Sequence, residues 1–367
     1  MRIAICTLGC RTNQAESAGM AELLRLRGHE VLPPLYEGGK PDAIVINTCT
    51  VTATADKKSR NVIRKLQKQY PDALLAVCGC LPQTETLDID GIGLIGGTSG
   101  RVEFIEALED ALRGNHPNSP PWRGGREADG VVIPAYYDDT LPDARPIGRS
   151  RAYIKIQDGC DNACSYCKVP QARGKARSRP VESVIRAAKE AAEGGAVEIV
   201  LTGIEISSFQ PSLADVTVSV CRAAAPVSVR LSSLHPDTVD DRFAAALKGE
   251  GNFRPAFHLS LQSCCDQMLK AMGRRYTVND IINVFNRLRD AWQRVEITAD
   301  IIVGFPGESE EDFEKTLETL QKLNPDGLHI FPYSRRKGTP AAELPGQLTR
   351  AVKAERARRL NEAFPKG

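Results

Sequence analysis

Cys160, Cys164 and Cys167 fall close together in the stretch Gly159-Cys160-Asp161-Asn162-Ala163-Cys164-Ser165-Tyr166-Cys167. The spacing C-x3-C-x2-C fits one short loop and lets three sulfurs converge on one metal centre. Thiolates are soft ligands suited to iron–sulfur clusters or zinc. A structural zinc site takes four protein ligands, and no fourth Cys or His lies nearby. On a four-iron cluster, three thiolates leave one iron without a protein ligand, where a substrate can bind. The competing reading is three unconnected core thiols, since free cysteine is commonly buried. Gly159, placed where the chain must turn, argues against it.

The elements that must position this loop read as alternating strand and helix. The chain has 367 residues, 26% charged and 42% hydrophobic, with a net charge of +2. That length suits two domains, and the charge excludes a global field that would steer polyanions, leaving only local patches. Eleven cysteines without a secretion signal indicate a reducing cytosol and metal ligation, not disulfides. No apolar run is long enough to span a membrane, so a cytoplasmic location without membrane partners is expected.

Residues 1–115 are predicted to form a doubly wound parallel α/β domain. Its strands are expected at Ile3–Cys6, Ala43–Asn47, Ala73–Cys78 and Ile92–Ile95, short apolar runs bounded by turn residues. Met20, Leu23, Leu24 and Arg27 recur at helical spacing, with Gly28 as the C-terminal stop. Ligands gather at the carboxyl ends of strands in such sheets, and three cysteines sit there. They are Cys10 in Leu8-Gly9-Cys10, Cys49 in Asn47-Thr48-Cys49-Thr50-Val51-Thr52, and Cys80 in Cys78-Gly79-Cys80. One such cysteine would be uninformative; three at matching topological positions form a pattern. Cys6 and Cys78, within strands, read as core.

Residues 116–148, rich in Pro and Gly, read as a joint, with Val131–Tyr137 as an extended segment leading out of it. Residues 149–345 resume the alternation, with strands expected at Ala152–Gln157, Val197–Thr202, Val227–Ser232, Ala256–Leu261, Val295–Ile302 and Gly327–Tyr333. Helices are expected at Val181–Ala192, Val278–Trp292 and Ser309–Leu323, the last capped by Ser309. Six strand–helix units suit a partial (βα)6 barrel with its site at the strands' carboxyl ends, and the cysteine loop follows the first strand. Residues 346–367 read as a basic terminal helix.

With Tyr166 before its last Cys, the C-x3-C-x2-C loop resembles the signature of the radical S-adenosylmethionine enzymes. The resemblance implies a 4Fe–4S cluster on Cys160, Cys164 and Cys167 whose open iron is chelated by S-adenosylmethionine. It also implies an external electron donor and formation of a 5'-deoxyadenosyl radical. The arrangement of Cys10, Cys49 and Cys80 is similar to the amino-terminal domain of the methylthiotransferase branch, and implies a second, auxiliary 4Fe–4S cluster linked to sulfur donation. The six cysteines would thus be both metal ligands and catalytic. By the same resemblance, S-adenosylmethionine would meet Tyr166, Gly203, Glu205, Ser233, Gln262, Arg274, Ile302 and Gly304. The stretch Asn47–Thr52 followed by Ala55-Asp56-Lys57-Lys58-Ser59-Arg60 looks most like the type that methylthiolates C2 of N6-threonylcarbamoyladenosine beside the tRNA anticodon. An unactivated C–H bond of this kind is beyond acid–base chemistry, which is why a radical is needed.

Arg173, Lys175, Arg177 and Arg179 directly follow the cysteine loop and are expected to hold phosphates of the anticodon loop. Two other basic runs, Lys57, Arg60, Arg64, Lys68 and Arg350, Lys353, Arg356, Arg358, Arg359, read first as solvated faces. The sequence departs from the family pattern in three places, one of them Lys168 and Gln171, which stand where apolar and aromatic residues are commoner around the basic loop. The usual carboxy-terminal β-barrel (TRAM) domain is absent by Gly367, and Cys264-Cys265 replaces a small pair, either as packing or as extra thiols near the site. Two alternatives stay open. One is the same chemistry on another modified adenosine or on a ribosomal-protein aspartate; the other is an iron–sulfur RNA-binding redox regulator.

Overall fold

The computed structural model describes residues 1–32, 40–114, 122–124, 137–143 and 151–365. The amino-terminal part runs β1 (Arg2–Thr7), α1 (Arg11–Leu26), β2 (Glu30–Leu32), β3 (Ala43–Thr48), α2 (Ala53–Gln69), β4 (Leu74–Gly79), α3 (Cys80–Thr84), β5 (Leu94–Gly96), α4 (Arg101–Leu112) and β6 (Trp122–Gly124). The strands form one six-stranded sheet of order β2-β1-β3-β4-β5-β6, every pairing parallel.

Alternate strand residues feed opposite faces, as the two-residue period of a strand requires. Ile3, Ile5, Val45, Ala76 and Leu94 pack with Met20 and Leu24 of α1 and Phe104 and Leu108 of α4. Ala4, Ile44, Ile46, Leu75 and Val77 pack instead with Ile63 and Leu66 of α2. The sheet is therefore covered on both sides, as a doubly wound domain demands. Short edge strands escaped the sequence reading. β2 is only three residues long, and β6 comes from the stretch expected to be a bare joint; it pairs with β5. The extended segment expected at Val131–Tyr137 lies, but for Tyr137, outside the described residues.

The second part runs β7 (Arg151–Asp158), α5 (Val169–Arg173), β8 (Arg177–Ser178), α6 (Val181–Glu193), β9 (Glu198–Gly203), α7 (Leu213–Ala223), β10 (Ser228–Leu231), β11 (Ser233–Leu234), α8 (Asp241–Lys248), β12 (Ala256–Gln262), α9 (Asp266–Ala271), α10 (Val278–Ala291), β13 (Glu296–Val303), α11 (Glu310–Leu323), β14 (Gly327–Pro332) and α12 (Arg350–Ala363). Six parallel strands make the partial barrel, in two sheets, β10-β9-β7-β8 and β11-β12-β13-β14. The third strand breaks at Ser232, where the curve passes from one sheet to the next; β8 is an antiparallel appendage on β7.

Helix starts are fixed by side chains that accept the first free backbone N–H groups. Ser309 with Asp312, and Thr277 with Asp280, form reciprocal capping pairs at α11 and α10. On β13 the odd positions Ile297, Ala299, Ile301 and Val303 are buried under the helices, while Thr298, Asp300 and Ile302 turn into the barrel. α12 is no free basic helix. Arg356 is buried against Glu308 and Glu310, and Arg359 pairs with Glu310 and Glu314 of α11.

Candidate active site

The cysteine loop leaves β7 through Gly159, whose φ is +71° and where a Cβ would stand 1.9 Å from the Lys175 carbonyl oxygen, so no other residue fits the turn. The loop is then pinned from outside. Ser165 donates N–H to Met272 O at 3.0 Å and Oγ–H to Ala271 O at 2.9 Å. The Asn162 and Val169 amides point at the sulfurs of Cys160 and Cys167, each at 3.4 Å, and Arg274 Nη1 lies 3.2 Å from Cys164 Sγ. Such donors stabilise bound thiolates. Burial pushes the free Cys167 thiol up to about 12, with Cys160 and Cys164 close enough to add to the rise.

The second triad is assembled by the sheet. Cys10, Cys49 and Cys80 follow β1, β3 and β4, adjacent in the order above. Burial, then the nearby Cys80 and Cys10, raises the Cys49 thiol to about 12, so the three sulfurs sense one another. Two glycines let the loops close. A Cβ on Gly9 would stand 2.6 Å from Cys49 Cβ, and one on Gly79 2.5 Å from Thr48 O. Asn13 Nδ2 ties two of the loops by donating to Leu8 O at 2.8 Å and Thr48 O at 2.9 Å.

A single tetrahedral ion about 2.3 Å from its sulfurs would hold them only ~3.8 Å apart. Among the described residues neither triad is drawn within 4.8 Å. A four-iron cube binds each thiolate through a different iron and needs the wider spacing. The donor set and the glycine-lined cradles fit such a cluster.

Between barrel mouth and sheet lies a cleft of about 290 Å³. Cys160, Cys164 and Cys167 open onto it from one side, and Val51 and Thr52, just after Cys49, from the other. Tyr166, Glu205, Gln262, Arg274 and Ile302, all expected at the S-adenosylmethionine site, line it. Gly203, Ser233 and Gly304 do not. A Cβ on Gly203 would press on Gln157 O at 2.8 Å, so this glycine shapes the turn to Glu205. Gly304 is packed under the Lys353 side chain and donates to Glu308 Oε2 at 2.7 Å; Ser233 faces solvent.

Missed by the sequence reading were Asn162, His235, Ser260 and Asp300, which also line the cleft. The two-residue period of β12 and β13 was the signal for Ser260 and Asp300. His235 Nε2 sits 2.5 Å from Glu205 Oε2, a contact across two strand ends that no spacing announces. Cys264 and Cys265 are buried, Cys265 Sγ donating to Asp312 Oδ1 at 3.3 Å; they pack, and do not line the cleft.

The basic run after the cysteine loop is corrected most. Arg173 is fully buried, Arg177 is 8% exposed and Arg179 6%. Arg173 binds Glu16, Asn13 and Asp158; Arg177 pairs with Asp158; Arg179 pairs with Asp139 and Asp143. These arginines are spent on carboxylates, Arg173 alone reaching the amino-terminal part through Glu16, and cannot hold phosphates; Lys175 alone of the four is exposed. Lys57, Arg64 and Lys68 of α2 are exposed instead. Among the described residues no helix is long and apolar enough to cross a membrane.

Residues 154–320 match the family model of the Radical SAM superfamily, and residues 2–92 that of the Uncharacterized protein family UPF0004. The chain is 36% identical to the threonylcarbamoyladenosine tRNA methylthiotransferase MtaB of Bacillus subtilis, over 98% of this chain and 79% of that one. The Thermotoga maritima protein of the same name is 33% identical over 98% and 81%. A tRNA-2-methylthio-N(6)-dimethylallyladenosine synthase of Staphylococcus epidermidis is 33% identical over 98% and 70%. Among solved structures, the radical S-adenosylmethionine methyltransferase TsrM of Kitasatospora setae shares the fold, with a TM-score of 0.67 at 17% identity over 93% of this chain and 77% of that one. The chain belongs to the methylthiotransferase family of radical S-adenosylmethionine enzymes, whose cofactors are S-adenosylmethionine and [4Fe–4S] clusters.

Proposed function

We propose that this chain is a tRNA methylthiotransferase acting at C2 of N6-threonylcarbamoyladenosine beside the anticodon, with electrons supplied by an external donor. In this reading Cys160, Cys164 and Cys167 hold the radical-generating cluster, and Cys10, Cys49 and Cys80 the auxiliary one. The observation that carries it is the shared cleft: one wall is the first triad, and the other is Val51-Thr52, the continuation of the Cys49 loop. The names of the relatives at 36% and 33% identity support the substrate.

When bound, the cofactors supply the radical, the sulfur and the methyl group; the protein supplies position and shielding. Glu205 is fixed for an ammonium group: its backbone N–H donates to Gln157 Oε1 at 2.7 Å, and its carboxylate meets Asn162 Nδ2 at 3.4 Å and His235. Tyr166, edge-on to Phe305 with ring centroids 6.4 Å apart, together with Ile302 and Phe331, gives the cleft an apolar wall that excludes water from the reacting carbon. Arg274 stays cationic beside Cys164 and is anchored by Ser260 O at 2.6 Å.

Mass analysis of digested tRNA from a strain lacking this chain tests the assignment. Loss of 2-methylthio-N6-threonylcarbamoyladenosine, restored by the wild-type chain, is expected. An unchanged level overturns it.

A further inference from the structure

The inner face of the barrel carries a cluster that the radical chemistry does not use. On β12, β13 and β14 the side chains turned away from the helices include His258, Asp300 and His329. Strand register sets Asp300 beside His329 and His258 beside Thr298. His258 Nε2 is 2.9 Å from Asp300 Oδ1, and His329 Nδ1 is 3.4 Å from the same oxygen. One ligand atom from each residue lies within 4.8 Å of the other two; among the described residues no other group of three or more His, Cys, Asp or Glu does so.

Ligand atoms about 2.0–2.2 Å from a tetrahedral or octahedral ion stand ~3.0–3.5 Å from one another. Two of the separations therefore already match a bound ion. The second nitrogen of His258, Nδ1, is 2.7 Å from Thr298 Oγ1. That contact orients the ring and leaves Nε2 for a metal, as the outer partner of a ligating histidine does. The ion-pair partners of Asp300 among the described residues are these two imidazoles; no Lys or Arg competes for its carboxylate there.

We propose that His258, Asp300 and His329 form a divalent transition-metal site, separate from both cysteine triads. Two imidazoles and a carboxylate suit zinc or ferrous iron. Three protein ligands leave a coordination position open, and Asp300 itself lines the cleft, so that position faces substrate. A doubly charged ion with one carboxylate ligand presents net positive charge there, matched to an oxygen-donor anion. Resting on the substrate reading above, the donor is the carboxylate of the threonylcarbamoyl group.

The test uses the anaerobic, cluster-loaded protein, incubated with Zn²⁺, gel-filtered and analysed for zinc. Wild type is expected to retain one zinc per chain more than His329→Ala and more than Asp300→Asn, with iron and sulfide contents equal in all three. His329 is 57% exposed, so its truncation leaves the fold intact. Equal zinc in wild type and both variants overturns the site, and shows a hydrogen-bonded His–Asp–His cluster only, without touching the substrate assignment. In a second arm, Zn²⁺ is expected to tighten binding of N6-threonylcarbamoyladenosine about tenfold and to leave N6-dimethylallyladenosine unchanged. No zinc effect on the former overturns the carboxylate role.

Discussion

Arg173 Nη2 lies 2.8 Å from Asn13 Oδ1, joining the short helix behind the cysteine loop of the barrel to the first helix of the other domain. The same Asn13 ties the Cys10 and Cys49 loops together, and the Arg173 guanidinium lies near enough to the Cys80 thiol to oppose the rise that burial gives it. One buried arginine thus links the barrel to the helix that holds the Cys10 and Cys49 loops. Replacing it by Met would remove one of the cations that Glu16 and Asp158 share in the interior. Removing one partner of a buried ion pair costs about 3 kcal/mol, and the remaining contacts of Glu16 with Lys155 and Arg101 keep the loss at that end of the range. Calorimetry on Arg173→Met should show a thermal midpoint lower by several degrees, and the auxiliary cluster should load poorly.

Acid should loosen the same interface. Burial alone would raise the Glu16 carboxyl, but Arg173, Lys155 and Arg101 hold it well below the usual carboxylate range. A depressed folded value means that stability is fully present above the unfolded value of about 4.3 and is lost as pH falls through the folded one. Thermal stability of the cluster-free protein should be flat from pH 8 to 5 and decline below about 4. In Glu16→Gln the acid decline should be shallower, from a lower plateau.

Gln262 has a φ of +66°, a left-handed conformation that costs a non-glycine residue about 1 kcal/mol. It ends β12 and lines the cleft. Gln262→Gly should raise the thermal midpoint slightly while weakening S-adenosylmethionine binding, measured by equilibrium dialysis. If binding is unchanged, the strain has no role at the site.

Nucleic-acid binding should follow α2, not the arginines behind the cysteine loop. A Lys57/Arg64/Lys68→Glu triple variant should bind tRNA more weakly, with a salt dependence shallower by up to three phosphate contacts. Its 5'-deoxyadenosine formation without tRNA should be unchanged. Filter binding across a salt series checks both.

Much of the site was legible because cluster chemistry is written in spacing. Cys160, Cys164 and Cys167 share one loop, and Cys10, Cys49 and Cys80 follow strands whose apolar runs are plain. Strands buried on both faces, such as Ala43–Thr48, announce themselves by composition. Less legible was everything set by partners distant in sequence. Arg173 looks like a surface cation until Glu16, 157 residues earlier, is folded against it. The edge strands Glu30–Leu32 and Trp122–Gly124 are too short to show a period. His258, Asp300 and His329 become neighbours only through strand register.

The most direct measurement is iron and sulfide content of anaerobically reconstituted protein, wild type beside a Cys10/Cys49/Cys80→Ala triple variant. About eight irons per chain are expected in wild type and about four in the variant, which should still cleave S-adenosylmethionine to 5'-deoxyadenosine. About four irons in both proteins would mean that the amino-terminal triad holds no cluster, and sulfur insertion through it would be ruled out.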